Sequence, residues 1–315
     1  MDDSNQASSP RVSPVPGVRT GRNIGLGFKT SPQDVSWATL DRTWATAAEL
    51  DVFDSAWMND HLMDPRFQWG GSSFESVTLL AALAQRVPNL WLGHGVLSNT
   101  FRHPAITAKA ATVLDHVTGG RYILGLGAGW HEAEHRSMGI ELPAIGERID
   151  RLASAVEVVR AMFSSNASQP PGVTRQDPYY PLSSALNDPA PIQLGGPPIW
   201  LGGQKPRGLR LAAGRADGWL ALSGKEPPIP YFAARYAVLH EEMERVGRDP
   251  SGFAFAASVR GDGSRQERRE AVSTGAQLVR NGATHIIVGI SAAGGAAALR
   301  VAADEVAEPI LELVG

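Results

Sequence analysis

Two kinds of hydrophobic pattern alternate along the chain. Short runs of apolar, β-branched and aromatic residues are typical of buried strands. They occur at 23–28, 53–58, 90–97, 122–127, 199–202, 218–222, 253–259 and 285–290. Apolar residues recur at helical spacing at about 35–50, 73–87, 104–116, 145–163, 206–214, 230–246, 265–280 and 294–306. Alternating strands and helices form a parallel sheet with helical crossovers. Eight of each predict an α/β protein with a closed (β/α)8 TIM barrel rather than an open doubly wound sheet.

Two segments depart from this alternation. Residues 1–21 hold three prolines and four serines without apolar periodicity, which predicts a disordered N-terminal tail and not a signal peptide. Residues 164–198 contain eight prolines and cannot form a regular helix. Loops of this length are usually lids, binding loops or mobile segments, and a packed insertion is an equal alternative. We therefore predict one barrel domain over 22–315 that carries a Pro-rich insertion at about 164–198.

The composition limits the classes of protein to which the chain can belong. It is 43% hydrophobic and 19% charged, with a net charge of −3 and no long basic run, so no nucleic-acid partner is expected. The sequence contains no stretch of 18 apolar residues, so no membrane span is predicted. The absence of cysteine excludes disulfides, thiolate metal sites and a cysteine nucleophile, and it suits a cytoplasmic enzyme.

The stretch HEAEH, His131 to His135, fits the H-E-x-x-H signature of zinc metalloproteases. That chemistry needs both histidines on one face of a long helix, with the glutamate as general base. Here the motif directly follows a strand and a glycine loop. The Gly and third His of the extended pattern are replaced by Met138 and Glu141. We therefore expect no metal site and interpret the two histidines as residues of the first turn after a loop.

The active site of such a barrel lies at the C-terminal ends of its strands. His61, next to Asp60 just after the second strand, is the best acid–base candidate; its alternative role is to cap the strand end through Asp60. His94, inside the third strand, could point into the barrel or outwards. Two glycine loops could present bare amides to an anion such as a phosphate. They are Gly127-Ala128-Gly129-Trp130 and Gly202-Gly203-Gln204-Lys205.

Four stretches together resemble the luciferase-like monooxygenase superfamily, in particular its coenzyme F420-dependent oxidoreductases. They are AAELDVFDSAWMNDH, LWLGHGVLSNTFRHPAITAKAATVLDHVTGGRYILGLGAGW, ERIDRLASAVEVVRAMF and PPIWLGGQKPRGLRLAAGRADGW. These stretches occur in the family's order within about residues 23–222, and the C-terminal third matches only loosely, through GATHIIVGI. The resemblance implies a (β/α)8 barrel with a flavin or deazaflavin at its C-terminal mouth.

The resemblance also implies roles for individual residues. His61 would be the proton donor near the ring, and Asp60, with its neighbour Asn59, would lie against the cofactor. Gly95 and Val96 would form a bulge behind the ring, often through a non-proline cis peptide. The remaining positions would line the ring, the cofactor tail and its phosphate: Ser98, Ala128, Gly129, Trp130, Gly202, Gly203, Gln204 and Lys205.

Two departures from the family pattern bear on the substrate. The sugar-phosphate dehydrogenases of the family carry a Glu where Trp130 stands and a Trp where Pro65 stands, which argues against sugar-phosphate oxidation. The sequence predicts an F420-dependent oxidoreductase that acts on a small molecule, with reduction of a C=C or C=N bond as one direction. The alternative is an FMN-dependent monooxygenase supplied by a partner flavin reductase. The family often forms homodimers.

Overall fold

The eight predicted strands form a closed parallel barrel in the computed structural model, which describes residues 15–66, 71–222 and 226–314. In chain order the strands are β1 (Gly25–Thr30), β2 (Ser55–Met58), β3 (Trp91–His94), β4 (Leu97–Ser98), β5 (Tyr122–Gly127), β6 (Val173–Arg175), β7 (Leu182–Ala185), β8 (Ile199–Leu201), β9 (Gly218–Leu220), β10 (Ala254–Arg260) and β11 (His285–Gly289). The ring runs β1, β2, β3, β5, β8, β9, β10, β11 and back to β1. The short β4 continues β3 alongside β5, and β6 pairs with β7 in a separate hairpin.

Helices surround the barrel at the predicted positions. They are α1 (Trp37–Ala47), α2 (Ser76–Leu83), α3 (Pro104–Thr118), α4 (Glu132–Ser137), α5 (Ile145–Phe163), α6 (Pro206–Arg215), α7 (Pro228–Arg245), α8 (Arg265–Arg280), α9 (Gly295–Ala302) and α10 (Glu308–Val314). The short α4 and α10 were not predicted. In the described ranges, none of these helices combines the length and apolar character that crossing a lipid bilayer requires.

Local capping explains why some boundaries follow from the sequence. The Ser264 side chain accepts from the Glu267 backbone, and the Glu267 side chain accepts from the Ser264 backbone. This capping box satisfies two backbone donors that the start of a helix leaves free. Helix α8 therefore begins at Arg265, as predicted.

Two tryptophans fill the barrel interior. Trp57 and Trp200 are fully buried, and their ring centroids lie 5.1 Å apart. Glycines on the neighbouring strands make room for them: a Cβ on Gly93 would lie 2.4 Å from the Trp57 ring, and one on Gly218 would lie 2.7 Å from the Trp200 ring. The barrel is thus packed below its mouth, which leaves open space at the carboxyl ends of the strands.

The prediction of a disordered tail does not hold for its last seven residues, 15–21, which the structure describes. Residues 1–14 lie outside the described residues, but the chain from 15 onwards packs against the amino-terminal end of the barrel. The Pro16 carbonyl accepts a hydrogen bond of 2.9 Å from His285 Nε2. Burial lowers the pKa of His285 to about 4, although this hydrogen bond acts in the opposite direction, so the ring is neutral. The ring thus connects the segment around Pro16 to the start of β11. Isolated histidine and proline positions carry no periodic signal, so the sequence did not reveal this contact.

The Pro-rich insertion packs on the outside of α3 and α5. The buried Asn187 amide donates to Thr112 Oγ1 at 3.0 Å and to the Met162 carbonyl at 2.9 Å. Tyr180 accepts from Asn99 Nδ2 at 3.2 Å, next to the barrel mouth. The insertion also forms the β6–β7 hairpin. The contacts therefore favour a packed insertion over a lid for this segment.

Candidate active site

Two adjoining cavities open at the carboxyl ends of the barrel strands. The larger, of about 500 Å³, lies beside the ends of β1, β2, β10 and β11. The smaller, of about 200 Å³, lies beside the ends of β2, β4 and β5. Lys29, Asn59 and His61 line both. The smaller cavity brings together these predicted site residues: Asn59, Asp60, His61, Gly95, Val96, Ser98, Gly129 and Trp130.

His61 is held by a buried carboxylate. Its Nδ1 lies 3.1 Å from Glu134 Oε2, and the Glu134 side chain is 1% exposed. An ionised carboxylate only accepts hydrogen bonds, so Nδ1 carries the proton that it shares with Glu134. This assignment leaves Nε2 as the ring atom that can exchange a proton with a bound molecule.

Glu134 is ionised although it is buried. Burial alone would favour the neutral acid, but hydrogen bonds from His61 and from the backbone amides of Leu62 and Met63 outweigh it. Together they hold the pKa of Glu134 below its ordinary value. The carboxylate therefore supplies a fixed negative charge beside His61.

Of the two HEAEH histidines, His135 has hydrogen-bond partners, whereas the Nδ1 of His131 has none among the described residues and lies 3.6 Å from Glu134 Oε2. His131 is the N-cap residue of α4, and His135 is buried behind it. The Nδ1 of His135 donates to the His131 carbonyl at 2.8 Å, while its Nε2 lies 2.6 Å from Thr100 Oγ1. Both ring nitrogens of His135 are thus engaged. Within the described ranges, no group of three acidic, histidine or cysteine side chains could hold a metal ion.

Asp60 belongs to a buried ion pair. Its Oδ2 accepts from the Ser98 amide at 2.8 Å and from Arg102 Nη1 at 2.7 Å, and its Oδ1 accepts from Arg102 Nη2 at 2.9 Å. Arg102 also bonds Glu75, and these bonds outweigh burial and raise the pKa of the guanidinium. The carboxylate therefore ties the end of β2 to β4 and is already largely satisfied.

A wall of glycine and valine backs the smaller cavity. The Gly95–Val96 peptide bond is cis, as the resemblance implies. A Cβ on Gly127 would lie 2.6 Å from a Val96 methyl, and one on Gly202 would lie 3.0 Å from it. A Cβ on Gly129, where φ is +76°, would lie 2.3 Å from Thr100 Oγ1. Any side chain at these glycines would crowd this wall.

The second predicted glycine loop does not line either cavity, although Gly202 lies directly behind Val96. Gly202, Gly203, Gln204 and Lys205 are absent from the described linings, as is Ala128 of the first loop. The Gln204 side chain is fully used: it donates to the Gly202 and Leu220 carbonyls and accepts from Tyr231. The contacts of Gln204 thus join β8, β9 and α7. A role of this loop at a cofactor phosphate stays a prediction.

Gly203 has a packing role that the sequence did not reveal. A Cβ on Gly203 would lie 2.8 Å from the Gly208 Cα in the first turn of α6, which cannot move aside as a side chain can. We expect Gly203→Ala to lower the free energy of unfolding by about 1–3 kcal/mol, the usual cost of overpacking. Gly214→Ala is the control, since a Cβ there meets nothing within 4 Å. It should be neutral or stabilising by up to about 1 kcal/mol. Equal melting temperatures for wild type and Gly203→Ala would contradict this packing role.

Other features of the site were missed or left open by the sequence. Glu134 was hidden inside HEAEH, where Glu132 held the position of the metalloprotease base, yet Glu132 is exposed and Glu134 is buried. Lys29 stands out only as a charge near the end of an apolar strand. His94 points outwards, with Nδ1 2.8 Å from the Tyr122 hydroxyl. Burial lowers its pKa to about 4, so it is a neutral core residue.

The chain belongs to the luciferase-like monooxygenase family, whose profile matches residues 34–285. It is 30% identical over 226 residues to an F420-dependent glucose-6-phosphate dehydrogenase of Microbacterium testaceum, covering 71% of this chain and 64% of that protein. It is 34% identical over 237 residues to a phthiodiolone/phenolphthiodiolone dimycocerosates ketoreductase of Mycobacterium tuberculosis, covering 70% and 60%. The chain therefore spans less than two thirds of the length of these relatives.

The fold matches that of a solved structure. An F420-dependent secondary alcohol dehydrogenase, in complex with an F420–acetone adduct, superposes with a TM-score of 0.76 at 17% sequence identity. The match covers 91% of this chain and 99% of that one. At this identity the likeness establishes the shared fold, the luciferase-like (β/α)8 barrel.

Proposed function

We propose that this protein is an F420-dependent oxidoreductase that moves a hydride between C5 of the deazaflavin and a small organic substrate. The observation that carries the proposal is His61, fixed by Glu134 at the junction of two cavities. The family membership and the names of the F420-dependent relatives support the choice of cofactor. Reduction of a C=C, C=N or C=O bond is the direction we favour, and the ketoreductase relative supports it.

The smaller cavity has the residues to hold a flat heteroaromatic ring. Val96 and the neighbouring bare glycines offer a close apolar wall, and a side chain at these glycines would obstruct it. Trp130, which is 63% exposed, stands at the rim with its ring 5.9 Å from that of His61 and edge-on to it. Asn59 and Ser98 also line this cavity and would supply polar groups to a bound ring. When bound there, F420 would supply the two-electron hydride chemistry that no side chain can provide.

His61 would donate or accept the proton that accompanies the hydride. Reduction of a carbonyl or imine leaves a negative charge on oxygen or nitrogen, which needs a proton. Nε2 is the ring nitrogen of His61 left to exchange this proton, because Nδ1 is bonded to Glu134, which also fixes the orientation of the ring. Oxidation would use the same atom as the proton acceptor.

FMN-dependent monooxygenation is the second candidate. One observation favours it: the arginines that could form a basic rim for the anionic F420 tail are already paired. Arg207 bonds Asp150, and Arg210 lies 4.0 Å from Glu242. The two functions separate in a turnover assay. Reduced F420 should be oxidised without oxygen when carbonyl, imine or activated alkene compounds are offered. Activity only with reduced FMN and oxygen would overturn the proposal.

The link between Glu134 and His61 can be tested with Glu134→Gln. The amide can still accept from the Leu62 and Met63 backbones, but it removes the fixed charge beside His61. We expect turnover to fall by roughly 10- to 100-fold, as when a group that orients a histidine is lost, with cofactor affinity unchanged. Glu132→Gln, on the exposed face of the same helix, is the matched control and should behave as wild type.

The same variant should change stability in acid. Because the pKa of Glu134 is depressed, its carboxylate stabilises the fold above the ordinary value of 4.5. That contribution is lost as the pH falls through the depressed pKa. Denaturant titrations from neutral pH to pH 4 and below should show a steeper acid loss of stability in wild type than in Glu134→Gln. Parallel curves and full turnover in the variant would contradict the role of Glu134.

A further inference from the structure

Lys29 is an unusual residue in the barrel mouth. It is the fifth residue of β1, where side chains alternate between the two faces of the barrel wall. Its neighbour Phe28 packs outwards against Trp44 and Phe53, so Lys29 faces the barrel interior. The Lys29 side chain borders both cavities. It is therefore placed where a bound substrate and cofactor would meet.

The other cations that line the larger cavity have carboxylate partners. Arg66 lies 3.1 Å from Asp34 and also pairs with Asp64, and Arg260 lies 2.9 Å from Asp262. Lys29 forms no salt bridge within 4.0 Å among the described residues. Its burial lowers its pKa, and no neighbouring charge offsets that effect. Lys29 is half-buried, and an ammonium withdrawn from water without an ion-pair partner costs free energy, which an incoming anion would recover.

We propose that Lys29 binds an anionic oxygen group of the substrate, a carboxylate or a phosphate, in the larger cavity. The inference rests on the proposed function in one respect, the identity of the anion as part of the substrate. With this group at Lys29, the rest of the molecule would extend past His61, which also borders the larger cavity. The substrate class would then be small acids or phosphate esters that also carry a reducible or oxidisable centre.

The chain offers a direct spectroscopic test because it contains four lysines: Lys29, Lys109, Lys205 and Lys225. Protein labelled with ¹³C at the lysine Cε should give few signals, and Lys29→Met assigns one of them. Acetate and inorganic phosphate serve as anionic probes, with acetamide as the neutral match for acetate. We expect at least one anion to shift the Lys29 signal saturably and to raise its titration midpoint by about one pH unit or more. Acetamide should leave the signal in place.

The result that overturns the inference is equally specific. The inference fails if neither anion moves the Lys29 signal, or if acetamide moves it as acetate does. It also fails if the signal of Lys109, which bonds the Asp188 carbonyl outside the cavities, responds with the same affinity. The two probes distinguish the two substrate classes. A response to phosphate alone indicates phosphate esters, and a response to acetate alone indicates carboxylic acids.

The Lys29→Met variant shows whether Lys29 serves to bind an anion or to stabilise the fold. A neutral side chain of similar length removes the cost of burying the charge, so the melting temperature should equal or exceed that of wild type. A lower melting temperature would assign Lys29 a structural role and overturn the inference. F420 affinity should stay within about a factor of three of wild type, a difference below 1 kcal/mol. A larger loss would assign Lys29 to the cofactor, while failure of wild type to bind F420 at all would instead overturn the proposed function.

Discussion

Replacement of His61 by alanine should abolish most of the turnover and leave cofactor binding nearly intact. General acid–base groups typically contribute 10²–10⁴-fold, and we expect a loss in this range. The reason is geometric: Nδ1 is bonded to Glu134 at 3.1 Å, so Nε2 is the atom free to exchange a proton in the cavity. The measurement is single-turnover oxidation of reduced F420 alongside a cofactor titration.

The His61→Ala variant leaves the Glu134 carboxylate without its histidine partner, so its folding must be checked. Glu134 keeps the Leu62 and Met63 amides, so the variant should remain folded, which a thermal melt checks. His116→Ala is the matched remote control, since that ring bonds the Ala190 carbonyl on the outside of the barrel. Turnover of His61→Ala within about a factor of two of wild type would remove His61 from the mechanism.

Replacement of Asp60 by alanine should damage the fold more than the chemistry. Removing one partner of a buried ion pair leaves an uncompensated charge and typically costs about 3–5 kcal/mol. Here Arg102 keeps only Glu75, and the Ser98 amide loses its acceptor, so we expect about 3 kcal/mol. For a domain of this size, that lowers the melting temperature by roughly 5–10 °C.

Asp60→Asn is the informative comparison. The amide oxygen can still accept from the Ser98 backbone, but the charge opposite Arg102 is gone. Its stability should therefore lie between those of wild type and Asp60→Ala. If both variants melt like wild type and F420 affinity falls instead, Asp60 contacts the cofactor directly, which is the role that the family resemblance implied.

The barrel could be predicted from sequence because its determinants are local and periodic. Helix α8 begins where Ser264 and Glu267 form a capping box, and β5 is a continuous apolar run between turn residues. The same approach singled out His61, which lines both cavities, since the strand ends of such a barrel form its mouth.

The remaining features depend on contacts between residues distant in sequence. Glu134 reaches His61 across 73 positions, and nothing in HEAEH distinguishes the buried glutamate from the exposed one. The packing of Gly203 against Gly208 was not foreseen, because a packing glycine and a binding glycine are identical in sequence. Likewise, the tail prediction ran to residue 21 because the contact of Pro16 with His285 joins opposite ends of the chain.

Equilibrium binding of the two candidate cofactors tests the central claim most directly. Purified apo-protein is titrated separately with F420 and FMN, and the fluorescence of each cofactor reports its binding. We predict that F420 binds with a dissociation constant at least about tenfold below that of FMN, a difference of about 1.4 kcal/mol. Filling the smaller cavity with Val96→Trp should remove that binding, because Val96 forms the wall of this cavity. Tighter binding of FMN, or F420 binding unaffected by Val96→Trp in a folded protein, would contradict the account.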